Sequence, residues 1–485
     1  MTQLQLDNSS GADQPDNVVE PNGAPKSAVL HRHLHHEFLN IARGEGHYLV
    51  LEDGRKIFDA SGGAAVACVG HGNAAVNKAM IDQIQKLSYC ASTFFTTRVV
   101  EQAGQAMIDT TDGQMTRAYI VGSGSCHKYP CSEAMEAAMK LARQYFLEKE
   151  TPEPARARFV SRHQSYHGTT LGSLAMGGHA ARRAKFEPML TDTVSKVSPC
   201  YAYRGKEQGE TDESYVKRLA LELDQEFQRV GAETVCAFVA EPVVGAALGC
   251  VPAVAGYFKA MKEVCRKYGA LLILDEVMSG MGRTGSHHAW QQEGIVPDIQ
   301  TVGKGLGGGY QPVAGVLIHK DVVDTLEKGS AAFVHGHTYQ AHVVGCAAIV
   351  AVQQIIREGN LVANVRAMGD LLEKLLQARL GSHKHVGNIR GRGLFWAIEF
   401  VQDRATKAPF PAKDGVSMGI SELGLTEPYC MMVYPGAGTV DGVNGDHIII
   451  APPYTVTPQD IDAIVLGVSR LVEDYFSRRL QEITV

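Results

Sequence analysis

No stretch of this 485-residue chain approaches the 18 or so consecutive apolar residues that cross a bilayer, so no membrane partner is expected. Basic residues are not in excess either. Lys and Arg total 46 against 52 for Asp and Glu, a net charge of −6, whereas a dedicated nucleic-acid binder carries a basic surplus or stripe. Cysteine is sparse. Ten cysteines without regular spacing, several inside apolar runs such as VCAFVA around Cys236, exclude a disulfide scaffold and read as buried free thiols in a reducing compartment. There is no internal repeat. Residues 1–27 lack apolar clustering and hold four acids and one lysine, so they read as a disordered tail rather than a transit peptide or secretion signal. The final Ile-Thr-Val is no peroxisomal address, and the cytoplasm is the expected compartment. His31, His33, His35 and His36 have no cysteine or second ligand pair nearby; they read as solvated, and no metal is expected.

What is present is the balance of a soluble globular chain, 45% hydrophobic and 20% charged, long enough for two or three structural units. Fifty-one dispersed glycines point to tight turns and close backbone approaches. From about residue 116 short apolar runs alternate with helical spacing. The runs are TRAYIVG (116–122), RFVSR (158–162), VCAFVAEPV (235–243) and ALLILDEV (270–277). Between the first two, Met135, Ala138, Met139, Ala142, Tyr145 and Phe146 share one helical face, with Ser132 placed to cap its start. This predicts an α/β fold, a large, doubly wound, mainly parallel sheet covered on both sides. Ligands of such sheets bind beyond the carboxyl ends of the strands. After about 340 a helix-rich stretch, the run GLFWAIEF, a Gly/Pro-rich loop at 435–445, IIIAPPYTV and a terminal helix predict a smaller α+β domain. The expected division is a tail at 1–27, a segment at 28–74 joining the small domain, a large domain at 75–332 and the small domain at 333–485.

Asp275 and Glu276 end the run ALLIL, which carries a carboxylate to the lip of the sheet. Twenty-nine residues later Lys304 stands among Gly303, Gly305, Gly307, Gly308 and Gly309, where little bulk keeps a ligand from the backbone. The loop lacks the spacing of a phosphate-binding P-loop. An acid at one strand end followed by a lysine in a glycine loop is a far more specific pattern than either alone.

LILDEVMSGMGRTG (272–285) and PDIQTVGKGLGGGYQPVAGVLI (297–318) resemble the class III aminotransferases, pyridoxal 5'-phosphate (PLP) enzymes of fold type I. The resemblance continues in YHGTTLGSLAMGGH (166–179), AEPVVG (240–245), HGHTYQAH (335–342), IRGRGLFWAIEF (389–400) and APPYTVT (451–457). It spans nearly everything after about residue 45, with the motifs in family order. It implies a ping-pong aminotransferase that works on an amino donor and a keto-acid acceptor, as a homodimer. By the same resemblance Lys304 forms the Schiff base with PLP and Asp275 keeps the pyridine nitrogen protonated. Tyr166 stacks on the ring, Val277 covers its other face, and His167 belongs to the same cofactor motif. Thr338 donates to the phosphate from across a subunit interface. Glu241 lies on the substrate side, and Arg390 matches an arginine that grips an α-carboxylate.

Three departures stand out. Ser123-Gly124 and Ser132-Glu133-Ala134 match the phosphate-cupping turn and helix, but about seven residues, roughly Ser125 to Cys131, separate them. Whether Ser125 or Ser132 serves the phosphate stays open, and so does whether the insertion preserves the cup. Ala74 and Val343 stand where relatives carry proline. Met278 and Met281 lean toward the amine:pyruvate and diaminopelargonate-type branch. The same fold also hosts racemases, aminomutases and decarboxylases, and the insertion leaves room for a non-catalytic dimeric member.

Overall fold

The computed structural model describes residues 27–122 and 131–484. The expected tail thus falls, but for Ser27, outside the described residues, as do Ser123, Gly124, Ser125 and the insertion up to Pro130. The chain divides into two compact units, one ending at Asn40 and one spanning Ile41–Val485. In the first, residues 27–40 form no helix or strand, and His33, His35 and His36 are exposed. No helix is long and apolar enough to cross a membrane among the described residues.

The second unit opens with an antiparallel meander of β1 (Ile41–Glu45), β2 (Tyr48–Leu51) and β3 (Lys56–Asp59). The first three apolar runs become β4 (Met115–Gly122), β5 (Arg158–Arg162) and β7 (Val235–Ala240), and β6 (Val194–Val197), which the sequence reading did not single out, precedes β7. A two-stranded hairpin of β8 (Val243–Val244) and β9 (Val251–Pro252) follows. Next come β10 (Leu271–Asp275), β11 (Ile299–Val302) and β12 (Val313–His319). These build a seven-stranded sheet in the order β4-β12-β11-β10-β7-β5-β6. β12 alone runs against its neighbours; the pairs from β11 to β6 are all parallel.

Side-chain alternation explains why β7 and β10 are buried from end to end. Ala237, Val239, Leu271 and Ile273 face one layer, with Met135, Ala138, Ala142 and Phe146 of the helix Cys131–Glu148. Phe238, Ala240, Leu272 and Leu274 face the other, against Leu219, Leu223 and Phe227 of the helix Asp212–Val230 and Phe258 and Met261 of the helix Tyr257–Tyr268. A parallel sheet needs cover on both faces, and both are covered. The helix predicted from the 132–149 periodicity already includes Cys131, so Ser132 lies within it rather than capping it.

The last third adds β13 (Val386–Arg392), β14 (Phe395–Phe400), β15 (Met431–Met432), β16 (Tyr434–Ala437) and β17 (Asp446–Ile450). Four of them form an antiparallel sheet, β13-β14-β17-β16, while β15 pairs in parallel with β3. Helices Leu361–Leu380 and Pro458–Thr484 pack on this region through Leu372, Leu376, Val465 and Leu471. Ala74 and Val343 are each the first residue of a helix, the position where proline's fixed φ and missing N–H do no harm, so alanine and valine there leave the helices formed.

Candidate active site

Adjacent parallel strands β11, β10, β7 and β5 all end at one lip of the sheet. Each delivers chemistry within a few residues of its carboxyl end. Lys304 stands two residues beyond β11, Asp275 is the last residue of β10, Glu241 follows β7 directly, and Tyr166 and His167 follow β5. Lys304, Asp275, Glu241 and Tyr166 line one cavity, together with Val277, Val243 and Met278. Residues far apart in the sequence, 166 to 304, thus meet for a topological reason.

Asp275 is 5% exposed, and its carboxylate is held at three points. Oδ1 accepts from the Val277 backbone N–H at 3.1 Å and the Thr301 hydroxyl at 3.2 Å; Oδ2 pairs with His167 Nδ1 at 2.8 Å. His167 is fully buried, and its Nε2 finds no partner among the described residues. The neighbouring Glu276 turns the other way. It accepts from the Ala289 and Trp290 backbone N–H groups, and burial pushes its carboxyl up to about 8. One dipeptide therefore holds two carboxyls in different settings, and only Asp275 lines the cavity.

Lys304 is 6% exposed and has φ +46°, a left-handed conformation that costs a residue with a side chain some strain. Gly303 before it packs closely: a Cβ there would lie 3.2 Å from Val277 Cγ1, so Val277 would have to shift slightly. The glycines after the lysine make room for their own chain, not for a ligand. A Cβ on Gly307 would lie 2.4 Å from Val313 Cγ2, and one on Gly305 3.2 Å from the Tyr454 hydroxyl.

Glu241 clamps the cavity wall, accepting from Tyr166 N and Gly245 N, each at 3.1 Å. Burial raises its carboxyl above the usual range, with the nearby Asp275 adding to this and His167 opposing it. Ser132, 2% exposed, accepts from Thr169 N at 2.8 Å, so the start of the helix Cys131–Glu148 is tied to the segment that carries Tyr166. Thr338 lies exposed in a segment without helix or strand.

Arg390 does not serve as the expected carboxylate grip. Its Nε donates to Gly249 O at 2.8 Å, and Nη1 to Asn388 Oδ1 at 3.1 Å and Glu399 Oε2 at 2.6 Å. Nη2 donates to Leu248 O. The fork is spent on its own fold, and Arg390 does not line the cavity. Glu399 keeps its carboxyl low against the cost of burial because Arg390 and Arg204 flank it. Arg390→Ala is expected to lower stability by roughly 3 kcal/mol, read from a denaturant midpoint, by leaving Glu399 under-compensated in the interior. An unchanged midpoint with a raised KM for the keto acid alone would reverse this assignment.

The sequence reading missed Val243, which lines the cavity, and Arg182, whose Cζ lies 4.8 Å from the Tyr166 ring centroid. Val243 had a weak signal, its place just past a strand end; Arg182 had none.

A buried amine, a fixed carboxylate, an aromatic ring and a valine around one cavity are the donor set a protonated pyridine aldehyde requires, and the site fits PLP. The model of the family described as "Aminotransferase class-III" matches residues 29–472. The chain belongs to the class III aminotransferases. It is a PLP-dependent enzyme of fold type I that transfers amino groups. A Gibberella zeae protein named "Aminotransferase" is 51% identical, over 94% of this chain and 88% of its own length. The diaminobutyrate–2-oxoglutarate transaminase of Halomonas elongata is 32% identical, over 89% of each chain. The crystal structure of the ω-transaminase from Pseudomonas jessenii in complex with PMP superposes with a TM-score of 0.82 at 31% identity, covering 91% of this chain and 93% of that one.

Proposed function

We propose that this aminotransferase takes the amino group from an amine or ω-amino donor and gives it to a keto acid in a ping-pong cycle, working as a homodimer. The observation that carries the reading is the shared cavity of Lys304 and Asp275 at neighbouring strand ends. PLP, when bound, supplies the carbonyl that receives the amine and a ring that accepts electron density. Lys304 would hold the cofactor and, as a free amine, would carry the proton that the exchange moves. Asp275 would keep the ring nitrogen protonated; His167, Thr301 and the Val277 N–H hold that carboxylate in place. Tyr166 and Val277, in the cavity wall, would flank the ring, and the helix Cys131–Glu148 would serve the phosphate with N–H groups of its first turn.

Two observations support the donor class. The described cavity lining includes the apolar side chains Val243, Val277 and Met278, which suit the hydrocarbon part of an amine. The structure from Pseudomonas jessenii carries the name of an omega transaminase. Dimerisation is supported by exposed Phe94, Phe95, Val334 and Tyr339, the last two flanking Thr338 in the chain.

The test is a pair of half-reactions. The PLP-loaded protein, mixed with an arylalkylamine or 4-aminobutyrate alone, is expected to lose its visible absorbance, and pyruvate or 2-oxoglutarate to restore it. Product formation without net exchange of the amine between partners would favour a racemase, aminomutase or decarboxylase. A protein that stays colourless in excess PLP would favour a non-catalytic member.

A further inference from the structure

We propose that the groove across the outer edge of the central sheet is a second, anion-binding site, fitted to a small phosphate-bearing molecule. Among the described residues β6 is the last strand of the sheet and is hydrogen-bonded on one side only, to β5. The groove over it is open to solvent and has a volume of about 740 Å³, within the size range of clefts that hold small ligands. None of its lining residues lines the catalytic cavity.

Five basic side chains reach the groove: Arg158 from β5, His163 just beyond β5, Arg183, Lys196 from β6, and Arg229 from the helix Asp212–Val230. Two acids, Asp192 and Glu226, line it too. Their pairing decides what charge remains. Glu226 takes Arg229 Nε at 2.7 Å and Nη2 at 2.6 Å, which leaves Nη1 outside the pair. Glu187 takes Arg183 Nε and Nη2, and Arg183 Nη1 bonds the carbonyls of Leu174, Ala175 and Gly177. These two arginines build the walls. Lys196 gives one bond, to Ala175 O at 2.8 Å, and Arg158 gives one, to the backbone carbonyl of Asp192 at 3.2 Å. Their cationic heads face only the exposed Asp192 carboxylate as an uncommitted opposite charge. With the Ser195 hydroxyl and the His163 ring, the remaining donors are of the types that bind phosphate oxygens.

An amine drawn from water without an anion is costly to keep charged. Burial accordingly pushes Lys196 down to about 8, Arg183 adds to the shift, and Glu187 opposes it. His163 is lowered as well, first by burial and then by Lys196, with Glu222 opposing. The other charged groups facing Lys196 in the groove are Arg158, Asp192, Glu226 and Arg229. A bound anion restores the charge on Lys196, so its contribution to binding holds below pH 8 and fades above it.

The experiment is calorimetric titration of the full-length, PLP-loaded enzyme with pyrophosphate, the cofactor's own phosphate already filling the catalytic pocket. One site per chain is expected. At pH 7 Lys196→Gln should weaken binding about tenfold or more. Arg158→Gln, a rim substitution remote from the core, should weaken it as well. The ratio of the Lys196→Gln Kd to the wild-type Kd should shrink toward unity at pH 9, while the Arg158→Gln ratio should persist; taking the ratio cancels the probe's own titration. Transaminase turnover and thermal midpoint of both variants should match the wild type. No binding to the loaded enzyme, an equal Kd in both variants and wild type, or loss of the visible cofactor absorbance during titration would each overturn the proposal.

Discussion

Lys304→Ala is expected to lower transaminase turnover by about 10⁴, the scale on which a positioned proton carrier and covalent anchor act. The side chain is almost fully buried, in the cavity that Asp275, Glu241 and Tyr166 share. Alanine retains a Cβ, so it leaves the left-handed backbone at φ +46° and its strain as they are, and removes the amine with the chain that carries it. Lys304→Arg should fail to the same degree. A guanidinium keeps the positive charge but stays protonated, so it neither attaches to an aldehyde nor carries the proton. Initial rates of amine exchange check this, with visible absorbance as the second readout: both variants should lose the band of covalently held PLP. Turnover within tenfold of the wild type would remove Lys304 from the mechanism.

Asp275→Asn is expected to lower turnover by about 10³ while the protein still takes up PLP. The change is close to isosteric. Val277 N–H and the Thr301 hydroxyl can still donate to the amide oxygen, so the site keeps its shape. What disappears is the negative charge that makes protonation of the ring nitrogen favourable in a buried setting. Asp275→Glu should recover part of the activity, because the charge returns at a shifted position. Single-turnover rates separate the two effects: the chemical step should slow while cofactor affinity changes little. An asparagine variant with wild-type single-turnover rates would assign the ring proton to another group.

Much of this site was legible before any geometry. RFVSR, VCAFVA and ALLILD are short, apolar and separated by helical spacing, so they mark strands of one parallel sheet, and ligands bind past the carboxyl ends of such strands. Tyr166 and Glu241 follow the first two runs, Asp275 ends the third, Lys304 comes two residues past β11, and the cavity joins all four. The helix face at Met135, Ala138, Ala142 and Phe146 was equally plain, because a 3.6-residue period is a local property. Arg390 shows the limit. Its motif matched a substrate grip, yet its partners are Glu399 on the next strand and the carbonyls of Leu248 and Gly249, more than 140 positions earlier. The glycines after Lys304 show it too, since their neighbours are Val313 and Tyr454 rather than a ligand.

By itself the amino-acid order determined which segments become strands and helices, their direction, and hence the lip at which the reactive side chains emerge, because periodicity and chain reversal are set by near neighbours. Only the tertiary structure decided how each charged group is used. Whether an arginine is spent on a buried glutamate or left facing a groove depends on distant chain brought alongside, and no local pattern encodes that pairing.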